Sequence, residues 1–441
     1  MNFFYFLCSL ACVLLLASGG SNPARAESVP GSTEVAPSVA EPPGALVLRD
    51  AVAAALVGNP ELAVFSLEVR SRDARAIQAG LLPNPQLLVE LENLGGSGDR
   101  AAFEQGETTV WLSQLVPIGG KLSRRRRVAE LDRDVSQWQY EAVRLGVLTD
   151  TTKAFVAALA AQKQLDLLRE LERLAGDSVR QFRSLADAGG ASQVERTRAE
   201  LELSTVRVRR QYAEGAVTAS RAALAASWGS AVPQFSSISG DLAELVAAPP
   251  LAELERLVHE NPDVARWVTE LDHRSAALSL AEARSLPDPT LSLGGRHFSD
   301  NGDNAVVFAV SVPLPVFDRN QGNVLAASRD LSKAKAQRAS AELSVRVRVR
   351  QRYAELLAAY GQAETLRRDS IPAAEQMYVG TKDGHREGLF RSLDVIEAQR
   401  TLFELRSRYL NILATYHFAR ADLERLTGTA FKADRKAEVG P

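Results

Sequence analysis

The sequence predicts a mainly α fold in which long coiled-coil helices carry four amphipathic strands per chain, the whole arrangement being built twice. Three observations predict it. Apolar residues recur every seven positions over long stretches, as at Leu389, Ile396, Phe403 and Leu410, and at Leu402, Tyr409, Tyr416 and Leu423. Such a repeat packs helices side by side with a left-handed supercoil. Twice a helical pattern is broken by P-x-P, in "LLPNPQLLVELENLGG" from Leu81 and "SLPDPTLSLGGRHF" from Ser285, and gives way to alternating runs. The same order of signals then returns about 200 residues later, a period too long for a solenoid.

The elements follow in one order in each half. A first helix spans about Leu46–Gly80 and about Leu251–Ser285, ended by the prolines Pro83, Pro85, Pro287 and Pro289, which mark the helix–strand junctions. Two strands follow, Gln86–Leu94 with Thr108–Val116, and Thr290–His297 with Ala305–Val312. In the last of these Val306, Phe308, Val310 and Val312 share one face, with Val307, Ala309 and Ser311 on the other. The polar, glycine-rich stretches "GGSGDRAAFEQGE" and "SDNGDN" join the pairs as hairpins. A long helix then runs about Lys121–Ala186 and about Val324–Asp383, reaching roughly 90–100 Å at 1.5 Å per residue. Within it Val345-Arg-Val-Arg-Val-Arg350 alternates like a strand, yet no Gly or Pro bounds it, so it reads as helix. A final helix spans about Ser192–Trp228 and about Ser392–Thr427.

Composition bounds the partners and the chemistry. A formal net charge of −2 gives no bulk electrostatic argument for nucleic acid. Aromatic residues at 6% suit packed helices better than a large globular core. The apolar run Phe3–Ser18 followed by Ala24-Arg25-Ala26 reads as a signal peptide over residues 1–26, without Lys or Arg in its n-region. Both cysteines, Cys8 and Cys12, lie inside it, so cleavage after Ala26 leaves no disulfide, no thiolate metal site and no acyl-anchor cysteine. Residues 27–45 read as a flexible segment, 46–230 and 251–428 as the two repeats, 231–250 as a connector, and 429–441 as a tail.

Four amphipathic strands cannot close a barrel, and open edges are not tolerated in lipid, so several chains must share one sheet. Three copies give twelve strands, with Phe308 and Val310 facing lipid. The phrases "LLPNPQLLVELENLGG", "LSQLVPIGGKLSRRRRVAE" and "EGLFRSLDVIEAQRTLFEL" carry a resemblance to the outer-membrane efflux family typified by TolC, and within it to the outer-membrane components of cobalt–zinc–cadmium resistance pumps. The resemblance covers about Leu46 to Gly428. It implies a homotrimeric duct in the outer-membrane lipid, reaching into the periplasm, with a twelve-stranded barrel above a helical one. It also implies a periplasmic adaptor and an inner-membrane pump of the resistance-nodulation-division type as partners, and passive export of heavy-metal cations. Drug-efflux and protein-secretion ducts share the fold; a periplasmic coiled-coil scaffold is the alternative outside it, and leaves the alternating runs unexplained.

Gly119-Gly120-Lys121 lacks the spacing of a phosphate loop and reads as a turn. Arg124–Arg127 fits a solvated helix face or a contact with lipid phosphates equally well. The histidines His259, His273, His297, His385 and His417 have no ligand spacing, and no nucleophile–base pair is evident, so no metal site, cofactor or catalytic residue is expected. At a hairpin tip, Gly388 ends a helix, and Asp394 and Glu397 follow on one face of the next. Helix-end charge alone accounts for Asp394. The resemblance implies more, since Asp394-Val395-Ile396-Glu397-Ala398 matches the family's D-V-x-[DE]-A pattern, whose acidic rings lie at the periplasmic entrance. The first repeat sets Glu195 and Arg198 at the matching positions, which makes the two tips chemically unequal.

Overall fold

The computed structural model describes residues 44–429 apart from 96, 98–104 and 188–191. The expected signal peptide, most of the segment 27–45, the tip of the first glycine-rich loop and nearly all of the tail lie outside the described residues. Nine α-helices and six strands are described: β1 (Ala45–Leu46), α1 (Leu48–Gly58), α2 (Pro60–Ala79), β2 (Gln86–Glu92), β3 (Glu107–Leu115), α3 (Lys121–Asp187), α4 (Gln193–Ala226), β4 (Ser237–Ile238), α5 (Leu251–Leu257), α6 (Pro262–Ala283), β5 (Thr290–Phe298), β6 (Asn304–Ser311), α7 (Gln321–Thr365), α8 (Ile371–Arg386) and α9 (Ser392–Thr427). The element order of the first half recurs in the second.

Several expectations are corrected. The first helix of each half is two helices. The bend between α1 and α2 is 41° and falls at Asn59, because Pro60 has no N–H to donate to the helix before it. In the second half α5 passes through a 3₁₀ turn, Val258–Glu260, before Pro262 opens α6. The long helix of the second half is likewise interrupted, by a π-turn at Leu366–Ser370. Pro372 follows at the start of α8; the wider turn keeps its ring off the preceding carbonyls. Leu389, placed by spacing in a heptad, lies outside α9 in the hairpin turn and is 73% exposed. Ala45 pairs in parallel with Ser237, and Leu46 with Ile238, so the chain is already ordered where the flexible segment was expected to end.

The duplicated Asn-Pro step has one job in both halves. Asn59 Oδ1 accepts from the N–H of Glu61 (2.9 Å) and Leu62 (3.2 Å), opening α2, while its Nδ2 donates to the Ser227 carbonyl (2.8 Å). Asn261 repeats this, accepting from Asp263 N (2.7 Å) and donating to the carbonyls of Arg425 (2.9 Å) and Leu426 (3.1 Å). One side chain thus starts a helix and satisfies orphan carbonyls at the end of another. That ties the first and last helices of each half together.

The largest buried cluster lies where the two halves meet, joining Phe155 and Leu159 of α3, Leu224 of α4, Leu356 of α7, and Leu413, Tyr416 and Leu423 of α9. The segment 231–250 threads through it, with Phe235, Ile238 and Leu242 buried. Tyr416 pins it: its hydroxyl donates to the Val246 carbonyl (2.6 Å) and accepts from the Val246 N–H (2.8 Å). Val345 and Val349 are buried in α7, one helical turn apart, while Val347 is exposed; the alternating Val-Arg run is helical, as read.

Candidate functional site: sheet faces and hairpin tips

β2, β3, β5 and β6 form one antiparallel sheet in the order β2-β3-β5-β6. Register and the two-residue side-chain period sort its residues into two faces. One face carries the rows Leu87–Leu112–Leu293–Phe308 and Val89–Val110–Gly295–Val306, with Leu291 and Val310 beyond them. Phe308 is 68% and Val310 53% exposed, so no described residue covers these positions of the apolar face. Polar side chains mark its ends: His297 Nδ1 lies 3.0 Å from Asn304 Oδ1 at one end, and at the other Gln114, in the row of Leu291 and Val310, donates to the Pro83 carbonyl (3.0 Å).

The opposite face is mostly polar and internally bonded. Ser113 and Ser292 share a hydrogen bond of 2.7 Å, and Trp111 Nε1 donates to Glu90 (3.1 Å). Arg296 donates to Thr109 Oγ1 (2.9 Å) and pairs with Glu107 (2.9 Å) and Glu92 (3.2 Å), so one side chain on β5 holds β2 and β3. Ala309 belongs to this face, opposite Ser292.

The arginine run does something neither sequence reading foresaw. Arg125 donates to the carbonyls of Ala79 and Leu81 (both 2.7 Å), just past the end of α2, and Arg124 donates to the Ser279 carbonyl (3.2 Å) in the last turns of α6. Cations at helix C-termini satisfy exposed carbonyls and the negative end of the dipole. The start of α3 therefore gathers the ends of both helices that lead into the sheet. Of the prolines expected at the junctions, Pro83 and Pro85 precede β2, and Pro287 and Pro289 precede β5.

At the far end of the helices the two hairpins meet. Gly388 follows α8 at φ +81°, a left-handed conformation suited to glycine, and turns the chain toward α9. Asp394 is half-buried and its carboxylate accepts from the Arg391 N–H (2.8 Å), so it caps α9; Glu397, one turn on, is exposed. In the first hairpin Glu195 likewise accepts from the Ser192 N–H (2.8 Å). Its other oxygen accepts from the hydroxyl of Ser392 (3.0 Å), a residue only 5% exposed at the start of α9. Ile396 packs beside Val179, Phe182 and Ala199, and Phe182 meets His385 edge-on at 6.0 Å. Among the described residues, a hydrogen bond and a small apolar cluster thus join the tips. The Ser-x-x-Glu box is legible in sequence; the reach of Glu195 to Ser392 is not.

The Ser192 N–H, then the Ser392 hydroxyl, hold the Glu195 carboxyl below its ordinary value of 4.5. A lowered folded value means the contact contributes fully above the ordinary value and is lost as pH falls through the lowered one. Acidification below about pH 4.5 is therefore expected to raise amide exchange, corrected for intrinsic rate, at the first turns of α4 and α9. Glu195→Ala should show the loosened tip at every pH, at a cost on the order of 1 kcal/mol; a tip whose protection is independent of pH in both proteins would refute the link.

Among the described residues no three His, Cys, Asp or Glu are grouped to hold a metal ion, and no single helix is long and apolar enough to cross a membrane. Comparison with known proteins gives the family. A family model described as "Outer membrane efflux protein" matches residues 51–230 and again 254–429. The cobalt-zinc-cadmium resistance protein CzcC of Cupriavidus metallidurans is 31% identical, over 94% of this chain and 98% of its own. The nickel-cobalt-cadmium resistance protein NccC of Alcaligenes xylosoxydans xylosoxydans is 25% identical, over 75% and 70%. The outer membrane protein VceC of Vibrio cholerae, a solved structure, superposes with a TM-score of 0.72 at 16% identity, covering 87% of this chain and 97% of that one. The chain belongs to the outer membrane efflux protein family.

Proposed function

We propose that this chain is the outer-membrane exit duct of a tripartite efflux system and that heavy-metal cations are its cargo. In this reading three copies close a twelve-stranded barrel over a tube of helices, and residues 46–230 and 251–428 are two repeats joined at mid-height by 231–250. A periplasmic adaptor and an inner-membrane resistance-nodulation-division pump engage the helical end. One observation carries the assembly: β2 and β6 are the outer strands of a four-stranded sheet whose one face is apolar and open. Unpaired edges beside an apolar face have no stable place in lipid until copies join edge to edge. The helices agree, since Val194, Leu201 and Val208 form an exposed stripe of spacing seven along α4, and Leu343, Val347 and Leu357 are exposed apolar residues along α7.

The cargo rests on the metal-resistance relatives, not on a binding site. A duct functions by weak, transient contacts, since tight coordination would hold what it must release. Deleting the gene should lower the tolerated concentration of cobalt, zinc or cadmium several-fold while leaving tolerance of organic solvents and dyes intact. The reverse pattern would assign the duct to solvent or drug export.

A further inference from the structure

The chain contains one complete strand-to-helix junction and the two unmatched parts of a second. In the complete one, the turn that leaves β3, Val116–Lys121, seats on the P-x-P segment that leads into β5. Val116 N donates to the Pro289 carbonyl (2.9 Å) and Ile118 N to Asp288 Oδ1 (2.9 Å). Lys121 Nζ reaches the same Asp288 oxygen (2.6 Å) and the Leu286 carbonyl (2.5 Å). Leu286 lies over Gly119, where a Cβ would come within 2.7 Å of its Cδ1 and where φ is +68°. The exit turn of one half thus docks on the segment leading into the neighbouring strand of the other half.

Among the described residues, the corresponding parts at the outer edges of the sheet have no partner of this kind. Leading into β2, Leu81, Leu82 and Asn84 stand where Ser285, Leu286 and Asp288 stand in the second half; Leu82 is 62% exposed. Leaving β6, the turn Val312–Asn320 is longer: α7 begins nine residues after Val312, whereas α3 begins five after Val116. The added length carries Leu314, Val316 and Phe317, all exposed, Phe317 at 91%. This is not a slack loop. Pro313 and Pro315 fix two φ angles. Arg319 Nε donates to the Pro315 carbonyl (3.3 Å), Gln321 Nε2 to the Phe317 carbonyl (3.3 Å), and Asn320 Nδ2 to the Ala281 carbonyl of α6 (2.6 Å). The turn is braced from three sides around a phenylalanine that it leaves outside.

We infer that the Leu314–Phe317 turn of one copy seats on Leu81–Pro85 of the next, with Phe317 as the plug that joins copies at the base of the barrel. The inference rests on the assembly of copies proposed above and names its contact. The strand order β2-β3-β5-β6 puts the turn at one edge of the sheet and Leu81–Pro85 at the other. Edge-to-edge joining of β6 to β2 brings them together just as β3 and β5 bring together Lys121 and Asp288. The chemistry changes with the context. Within the chain the seat is fastened by an ion pair; between copies Asn84 replaces Asp288 and Gln321 stands at the start of α7 where Lys121 starts α3, so the charge is gone. An apolar plug takes its place, and its pre-set backbone reduces the ordering cost of docking.

Cysteine pairing tests this in a Cys8→Ser/Cys12→Ser background, which removes both native thiols. Outer membranes carrying Phe317→Cys with Leu82→Cys, or with Leu81→Cys, should give covalent dimers and trimers on oxidation, and each single variant should not. If neither pair cross-links while native mass spectrometry shows an intact trimer, the seat is wrong and the assembly stands. A monomeric mass would remove the assembly and the seat together. Phe317→Trp in phosphatidylcholine vesicles with brominated acyl chains should keep its fluorescence. Strong quenching would mean that lipid covers this turn, and would overturn the inference.

Discussion

Arginine at Phe308 is expected to abolish assembly in the outer membrane, whereas arginine at the adjacent Ala309 is expected to be tolerated. Phe308 shares its row with Leu87, Leu112 and Leu293 in the middle of the apolar face, and the rows on either side carry Val306 and Val310 on the same strand. A cation on a lipid-facing strand costs about 2–4 kcal/mol at the bilayer midplane and about 0–1 near the interfaces. In the proposed trimer each copy would contribute one such charge, so the penalty would repeat around the barrel. Val310 lies one row closer to Gln114 and the P-x-P segment, so arginine there should be the milder of the two lipid-face changes. Ala309 pairs with Ser292, which is already hydrogen-bonded to Ser113, and an arginine there would join the face that carries Arg296. The readout is the heat-modifiable oligomer on unheated gels of outer-membrane fractions. Equal tolerance at Phe308, Val310 and Ala309 would mean that this sheet does not stand in a bilayer.

That contrast was available from sequence because alternation and proline are local signals. Alternation predicts a strand over Thr108–Val116, and the strand runs Glu107–Leu115, a shift of one residue. Local signals also set the limits. Apolar periodicity runs on through Asn59-Pro60, so the bend there was invisible, although the repeated Asn-Pro step was plain. A two-residue strand such as Ala45–Leu46 has no period to detect. Leu389 has heptad spacing but follows Gly388, and a turn takes precedence over spacing.

Contacts between distant residues were beyond reach for a different reason. Nothing near Ser392 in the chain announces Glu195, 197 positions away. Asp288 looked like the middle of a helix break, and Lys121 like the end of a glycine turn; only the β3–β5 pairing makes them partners. The arginines at 124 and 125 show the same limit. Their charge was legible, but its use depends on where α2 and α6 end in space. The sequence therefore revealed which surfaces exist, and the fold shows which groups those surfaces bring together.

Removing one exposed carboxylate per copy at the hairpin tip should lower cation selectivity without loosening the helix. The two acidic residues of that tip are not equivalent. Asp394 is engaged by the Arg391 N–H, so Asp394→Ala also removes a helix cap, worth on the order of 1 kcal/mol, and mixes two effects. Glu397 is exposed, and Glu397→Gln changes charge with little change of shape. In a trimer three such carboxylates would ring the entrance. A unit charge about 7 Å from a passing ion is worth roughly 0.6 kcal/mol at the dielectric constant of water. Three of them, screened with a Debye length of about 8 Å at physiological ionic strength, leave roughly 0.7 kcal/mol of attraction for a cation and as much repulsion for an anion, roughly a tenfold preference for cations. Reversal potentials in planar bilayers under a salt gradient should shift toward zero in Glu397→Gln, and further in Asp394→Ala/Glu397→Ala, which should also resist block by multivalent cations. The difference from wild type should vanish near 1 M salt, where the Debye length falls to about 3 Å. Arg198→Asn, at the first-repeat position matching Glu397, should shift selectivity much less. An unchanged reversal potential in the double variant, with the trimer intact, would leave Asp394 a helix cap and Glu397 a solvated charge, and the entrance ring would have to be sought elsewhere.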